Sequence, residues 1–209
     1  MSGRDEQDFY LLETQYHGQG GSAVLADTLK ACKDPLIEFD TGRIPAHPVP
    51  ANLRLRRQEN EPGPLNDLIG VYGEWAIIVS GKLRKVIEAA GIGNVQWYPL
   101  VIEDMIEKRN LDYWIANIIG VIDCIDRERA VLDEYDLFRR LWIDPARTQG
   151  RKLFRLAGDG AQVVVHRDLK EAMEASGCQG ARFVPANGFC DEEALPLDED
   201  DDGDSGDDD

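Results

Sequence analysis

Three closely spaced carboxylates are the residues of this chain that could do chemistry. Asp123 and Asp126 close the most apolar run of the sequence, residues 112–126, and Glu128 follows two positions later. Carboxylate oxygens at such spacing suit a divalent cation, and paired carboxylates suit acid–base catalysis. Aspartates at the end of a strand also stabilise the turn that follows it. We favour this structural role for Asp123 and Asp126.

Few other groups support catalysis or the binding of a cofactor. The three histidines lie far apart, and the chain has no GxSxG, HExxH or P-loop motif. The glycine-rich segment 17–22 lacks the Lys-Ser/Thr pair that reaches the phosphates in a P-loop. The four cysteines include no CxxC pair, so we expect reduced thiols and no structural zinc site. We therefore expect that the protein is not an enzyme and that it has no metal and no cofactor.

The elements that would position these residues are organised around a repeated segment. Residues 77–99 align without a gap with residues 163–185 when the numbering is shifted by 86. Each copy begins with a β-branched run and passes through a polar residue that can cap a helix, Ser80 or His166. Apolar residues at helical spacing follow, then a glycine that can end the helix and a short alternating strand. Each copy is therefore predicted to form a strand, a helix and a second strand.

These features predict an α+β fold. We expect a single domain with two related strand–helix–strand lobes on a mixed or antiparallel sheet. An N-terminal section, residues 1–66, would pack on a core, residues 67–189, that contains both copies. Residues 190–209 would form a disordered acidic C-terminal tail. Chance similarity between two ordinary strand–helix units is the alternative, because residues at caps and turns are partly forced.

Most of the negative charge lies near the C-terminal end. The formal net charge is −17, and residues 191–209 hold twelve acidic residues and no basic one, which leaves −5 for the rest of the chain. Such a segment buries almost nothing apolar and repels itself, so we expect it to be disordered. The one basic cluster, Arg54, Arg56 and Arg57, has no interleaved aromatic residues. It is expected to form salt bridges at the surface rather than to bind nucleic acid.

The distribution of apolar residues also bears on location and partners. No apolar run is long enough to cross a membrane, and the polar first residues do not resemble a signal peptide. We therefore expect a cytoplasmic protein with no membrane or nucleic-acid partner. We expect a monomer or a weak dimer.

A series of short motifs runs from Trp75 to Phe189 in a characteristic order. They are Val79-Ser80 with Leu83, Glu88-Ala89-Ala90-Gly91, Trp97-Tyr98-Pro99, Tyr113-Trp114-Ile115-Ala116-Asn117, Val121-Ile122-Asp123 with Asp126, Lys152-Leu153-Phe154-Arg155-Leu156, Leu169-Lys170-Glu171-Ala172, Gly177, and Gly180-Ala181-Arg182-Phe183-Val184-Pro185. Their order and spacing resemble the immunity-protein family numbered eleven among the bacterial polymorphic-toxin immunity families, formerly a domain of unknown function. The acidic tail, and His166 where a serine is more usual, depart from that family.

The resemblance implies a protein that binds and neutralises a cognate toxin, usually one encoded beside it, in competition between bacteria. It carries over no catalytic residue. An acidic protein suits a basic toxin such as a nuclease, because opposite charges raise the rate of encounter. Binding would block the active site or a nearby exosite of the toxin. We expect partner contacts from two groups of acidic residues: Asp123, Asp126 and Glu128 in the core, and Asp198, Glu199, Asp200, Asp201 and Asp202 in the tail.

Two other functions stay open from the sequence. A small-molecule or nucleotide sensor would bind its ligand in the groove between the two lobes, and a concave apolar pocket with convergent polar groups would favour it. A metal-dependent hydrolase would use Asp123, Asp126 and Glu128, and a tight metal site would favour it.

Overall fold

The chain forms many short strands and two short helices. The computed structural model describes residues 8–15, 24–25, 37–59, 63–71, 74–135, 138–158 and 162–190. The strands in these residues are β1 (Phe9–Thr14), β2 (Val24–Leu25), β3 (Leu53–Arg57), β4 (Leu68–Val71), β5 (Glu74–Ser80), β6 (Val95–Asp104), β7 (Arg109–Ile118), β8 (Val121–Ile122), β9 (Val131–Leu132), β10 (Phe138–Arg140), β11 (Leu153–Leu156), β12 (Val163–His166) and β13 (Ala181–Pro185). The helices are α1 (Gly81–Ala89) and α2 (Arg167–Ala175). Both have nine residues, and in the described part of the chain neither is long and apolar enough to cross a membrane.

The strands form two larger sheets and one ribbon. The six-stranded sheet has the order β2-β4-β5-β7-β6-β3, and the five-stranded sheet has the order β13-β1-β12-β11-β8. A separate two-stranded ribbon joins β9 to β10. The pairings are antiparallel except for β2 with β4, β3 with β6 and β8 with β11, which are parallel. The predicted α+β class with mixed and antiparallel sheet is therefore confirmed, with strands as its main content.

Both helices begin and end as the sequence predicts. The Ser80 hydroxyl accepts a hydrogen bond from the Leu83 backbone N–H at 3.2 Å, and the His166 ring accepts one from the Asp168 backbone N–H at 3.2 Å. Each bond satisfies a donor that the first turn of a helix leaves without a partner. A glycine two residues after each helix has a φ of 75° or 68°. Only glycine adopts this left-handed conformation without steric cost, so it marks the end of each helix.

Each strand–helix–strand segment encloses a strand from elsewhere in the chain. Strands β5 and β6 flank β7, and strands β12 and β13 flank β1, with antiparallel pairing throughout. The registers of the two groups match: Val79 and Pro99 lie opposite Trp114, whereas Val165 and Pro185 lie opposite Tyr10. Strands β4 and β11 extend the two groups in the same way, beside β5 and β12.

The two enclosed strands, β1 and β7, are the central strands of these groups. The chain crosses from one sheet to the other after each of them. From β1 in the five-stranded sheet it continues to β2 in the six-stranded sheet, and from β7 in the six-stranded sheet it continues to β8 in the five-stranded sheet. The β-branched and aromatic residues of the apolar run 112–126 predict one strand that bends near Gly120, but the run is divided between two sheets. The break falls at Gly120, whose φ of 112° turns the backbone between the end of β7 and the start of β8.

Three groups of buried apolar side chains hold the fold together. One is shared by both sheets and both helices, and it includes Leu83 and Ile87 of α1 and Leu169 and Met173 of α2. A second group lies on the other face of the six-stranded sheet, where side chains of β3 to β7 pack with Phe39 from the segment before β3. The third lies between the five-stranded sheet and the chain that follows β8, which includes β9 and β10. Removal of these side chains from water is the main driving force for the fold.

Candidate partner-binding surface

The predicted carboxylates lie where the chain leaves the five-stranded sheet after β8. There the Asp126 backbone N–H donates to the Trp142 carbonyl at 2.8 Å. Ile125 and Ile143 form an antiparallel bridge beside this bond, and both side chains are buried. Two stretches of backbone therefore run side by side and fix the position of the carboxylates.

Asp123 and Asp126 stabilise this region in different ways. The Asp123 carboxylate accepts a hydrogen bond from Arg147 Nη2 at 2.8 Å, and the same guanidinium donates to the Ile125 carbonyl at 3.0 Å. The Asp126 carboxylate accepts from the Glu128 backbone N–H at 3.1 Å. The Asp126 carbonyl also accepts from the two N–H groups that follow Glu128. Asp126 therefore stabilises the turn as predicted, whereas Asp123 instead joins the end of β8 to the segment that contains Arg147.

The carboxylates form no metal site with their neighbours. The described residues contain no group of three or more His, Cys, Asp or Glu side chains arranged to hold a metal ion. Asp123 is in an ion pair with Arg147, and the Glu128 side chain is exposed. The metal-dependent hydrolase therefore has no ligand set in this part of the chain.

Cys124 follows Asp123 but is not placed for nucleophilic chemistry. Its side chain is fully buried and packs in the core beside the five-stranded sheet. Burial, and to a smaller extent the Asp123 carboxylate, raises the pKa of the Cys124 thiol to about 12. Because the thiolate is the nucleophilic form, this residue is unreactive near neutral pH.

The region between the two sheets contains core side chains and one buried arginine. The shared core lies where α1, α2 and both sheets meet. Arg155 of β11 is fully buried and donates to the Phe39 carbonyl at 2.8 Å, so it ties the segment before β3 to the five-stranded sheet. Burial lowers the pKa of Arg155, and the nearby Asp40 acts in the opposite direction. These contacts give the sensor hypothesis no support.

The basic cluster on β3 forms the salt bridges that the sequence predicts. Arg54 and Arg56 both bind Glu103 of β6, at 2.8 and 3.2 Å, and Arg57 binds Asp104 at 3.3 Å. Hydrogen bonds from Arg54 and Arg56 lower the pKa of the Glu103 carboxyl group. The parallel pairing of β3 with β6 brings these arginines close to carboxylates, and the Arg57–Asp104 pair is buried rather than at the surface as predicted.

The ribbon of β9 and β10 has one buried face and one exposed face. Leu132 and Phe138 lie opposite each other and belong to the core beside the five-stranded sheet. Val131 and Arg140 also lie opposite each other, and both are exposed. Tyr135, in the turn after β9, has 75 % of its surface exposed. The ribbon therefore presents apolar and aromatic surface to solvent.

A stacked pair of side chains adjoins this exposed face. The Arg129 guanidinium lies 3.6 Å from the centre of the Trp142 ring. The side chains at 130, 132, 141 and 143 face the core, so those at 129, 131, 140 and 142 face outward. The sequence reasoning missed this surface. Its signal was two aromatic residues, Tyr135 and Trp142, in a segment otherwise rich in charge.

The acidic tail leaves the fold beside the ribbon. Cys190 forms an antiparallel bridge with Arg140, and the Leu141 N–H donates to the Phe189 carbonyl at 2.9 Å. Residues 191–209, with the predicted contacts at 198–202, lie outside the described residues. Their point of attachment is therefore next to β10.

Comparison with known protein families gives a match. The model of a family described as an immunity protein family, Imm11, matches residues 8–188. This range begins just before β1 and ends after β13, so it includes both sheets and both helices. No curated protein matches the chain.

Proposed function

The chain belongs to the Imm11 immunity protein family, and we propose that it binds a cognate toxin of a bacterial polymorphic toxin system and neutralises it. The family match over residues 8–188 is the observation that carries this proposal. Binding covers the active site of the toxin or a nearby exosite, in the cytoplasm of the cell that makes the protein. The mechanism needs no catalytic residue on this chain.

The charge of the chain supports a basic toxin, such as a nuclease. The net charge is −17, and twelve of the acidic residues lie in the last nineteen positions. A field of this sign raises the rate at which a basic protein arrives, and salt screens it beyond a Debye length of ~8 Å at physiological ionic strength. The contribution of charge is therefore expected mainly in the association rate.

The predicted acidic contacts are part of this proposal. Of the three in the core, Asp123 and Glu128 are exposed, whereas Asp126 is half-buried in its turn. We expect Glu128 to contribute most of these three, because its carboxylate is exposed and the structure does not use it in the turn. Residues 198–202 would act during the encounter with the toxin.

Calorimetric titration tests the proposed function. The probe is the C-terminal domain of the toxin encoded by the neighbouring gene, prepared as an inactive variant. We expect a Kd near the nanomolar range, about −12 kcal/mol, that weakens as salt rises to physiological concentration. Nanomolar binding that does not change with salt concentration would support neutralisation but contradict a basic partner. No binding at tens of micromolar protein would reject the proposed function.

The relation between the two strand–helix–strand segments is also a proposal: we infer two related lobes that arose by internal duplication. Their helices, caps and strand registers correspond at a shift of 86 residues. The central strands β1 and β7 correspond at a different shift, 104 residues. Backbone hydrogen bonds beside these strands combine the two shifts. The Gln15 N–H donates to the Gly180 carbonyl at 2.8 Å, and the Ile119 N–H donates to the Asn94 carbonyl at 2.7 Å.

A cluster of side chains on α1 supports this relation. The Arg84 guanidinium lies 3.9 Å from the centre of the Trp114 ring on β7 and 5.4 Å from that of Trp97 on β6. Arg84 also forms an ion pair with Glu88 at 2.8 Å.

The same cluster recurs on α2 at the shifted positions. Lys170 lies 5.2 Å from the centre of the Tyr10 ring on β1 and 5.6 Å from that of Phe183 on β13, and it pairs with Glu174 at 2.7 Å. Each repeat thus begins with a strand that completes the lobe of the other repeat: β1 enters the five-stranded sheet and β7 enters the six-stranded sheet. The two lobes are joined by exchanged strands.

A further inference from the structure

We propose that the toxin binds to the exposed side of the β9–β10 ribbon, through a set of residues that we name the ribbon surface: Arg129, Val131, Tyr135, Arg140 and Trp142. The inference rests on the proposed function and adds the place and the chemistry of the contact.

Exposure singles out this part of the described chain. Six large apolar side chains of the described residues are exposed: Ile44, Met105, Ile106, Val121, Val131 and Tyr135. Single exposed apolar residues are common and need no explanation. Tyr135, in the turn of the ribbon, is the most exposed of the six, at 75 %, and Val131 lies two residues after Arg129, which stacks on Trp142. The ribbon is therefore where exposed apolar, aromatic and cationic groups occur together.

The residue types are those that dominate binding energy in protein interfaces. Tryptophan, tyrosine and arginine are enriched at positions whose truncation weakens binding strongly. The distance of 3.6 Å from the Arg129 guanidinium to the Trp142 ring indicates a cation–π contact, which limits the conformations of both side chains before a partner arrives. Such ordering reduces the conformational entropy lost on binding.

Core packing and an ion pair fix the position of the ribbon. On its inner face, Phe138 packs against Phe189 with ring centres 6.3 Å apart, and Leu132 packs against the same core. Arg139 of β10 forms a 3.1 Å ion pair with Asp133, which follows β9. A contact surface fixed in this way can hold its anchors in one geometry.

Charge around the ribbon surface indicates the chemistry of the partner. The exposed side chains of the ribbon carry both signs, because Glu128 and Glu134 lie on either side of β9 and Arg129 and Arg140 are also exposed, so the excess of negative charge comes from the attached C-terminal segment. The segment 191–209, with twelve acidic and no basic residues, is attached at Cys190, opposite Arg140. A phosphate backbone or an anionic membrane would be repelled by this concentration of negative charge. The occupant is therefore a basic protein surface with an apolar recess for Tyr135.

Truncation of the exposed side chains tests the proposal. In titrations against the inactive C-terminal toxin domain of the neighbouring gene, we expect Tyr135→Ala to raise Kd by ~10-fold or more, mainly through faster dissociation. Val131→Ala should raise it by a smaller factor, about threefold, because fewer atoms are lost. Ile44→Ala and Met105→Ala are matched controls at exposed apolar sites elsewhere, and they should stay within about twofold.

A second variant separates the ribbon surface from the tail. Deletion of 191–209 should slow association at low salt and leave the dissociation rate unchanged, whereas Tyr135→Ala should do the reverse. Circular dichroism should show the same fold for all variants, because none removes a buried side chain. The inference is overturned if Tyr135→Ala and Val131→Ala both bind like the unsubstituted chain, or if the controls weaken binding as much. Failure of the unsubstituted chain to bind would instead reject the proposed function, and this inference with it.

Discussion

Arg155 shows how a single side chain ties together distant parts of this molecule. It is fully buried in β11 and donates to the Phe39 carbonyl at 2.8 Å. The equivalent position in the other sheet is Gly70 of β4, where an added Cβ would meet the Thr14 methyl group at 3.4 Å. The six-stranded sheet therefore has a glycine at the position where the five-stranded sheet has a long, buried arginine side chain. The buried guanidinium must keep its hydrogen bonds, because an unsatisfied buried charge is costly.

Replacement of this arginine should destabilise the protein strongly. Arg155→Ala removes a large buried side chain and leaves the Phe39 carbonyl without its donor, so we expect a loss of about 3 kcal/mol in the free energy of unfolding. Urea denaturation followed by circular dichroism measures this loss. Arg151→Ala, at an exposed position just before β11, is the control and should change stability by less than about 0.5 kcal/mol. Equal effects of the two substitutions would contradict the role given to Arg155.

At the scale of elements, the cation on each helix is expected to fix it to its sheet. Arg84→Ala and Lys170→Ala each remove a cation that lies over two aromatic rings and pairs with a carboxylate four residues later. Both cations are largely buried, so each substitution should cost roughly 1 kcal/mol of stability. Lys85→Ala, exposed on α1, should cost much less. Guanidinium denaturation gives the three values, and a Lys85 effect as large as the others would reject the idea.

The sequence predicted both helices because their signals are local. Ser80 and His166 cap helices, and glycines end them, within eleven residues of chain. The pairing of β1 was not predicted, because its partners β12 and β13 lie more than 150 residues away. The correspondence between β1 and β7 was missed for a related reason. A comparison at one shift, 86, cannot find strands that correspond at 104, and the intervening segments differ in length.

The candidate surface was predicted only in part. The sequence located Asp123 and Asp126 at the end of an apolar run, and the structure gives Asp126 the expected role in the turn but pairs Asp123 with Arg147. It did not identify Val131 or Tyr135 as exposed. Strands β9 and β10 have two and three residues, too short for alternation to show which face is buried. Exposure there depends on the core beneath the ribbon, which is assembled from distant segments.

For the whole molecule, the exchanged strands predict that the two sheets unfold together. The central strand of each sheet is continuous in sequence with a strand of the other sheet, and both sheets share the core around α1 and α2. We expect one cooperative transition in urea, with circular dichroism and tryptophan fluorescence coinciding. Hydrogen exchange at low denaturant should give β5 and β12 the same opening free energy. Two separate transitions, or a difference of several kcal/mol between these strands, would show that the lobes are independent.

The exchanged strands also have a consequence during protein synthesis. Strand β1 leaves the ribosome early, but its two neighbours, β12 and β13, are among the last strands to be made. At a synthesis rate of about 5–20 residues per second, β1 remains without its two neighbouring strands for on the order of ten seconds. All strands of the six-stranded sheet have been made once β7 is complete, but the five-stranded sheet stays incomplete until translation passes β13. A premature stop codon before that point should yield no partly protective fragment, so protection of the cell begins only with a nearly full-length polypeptide.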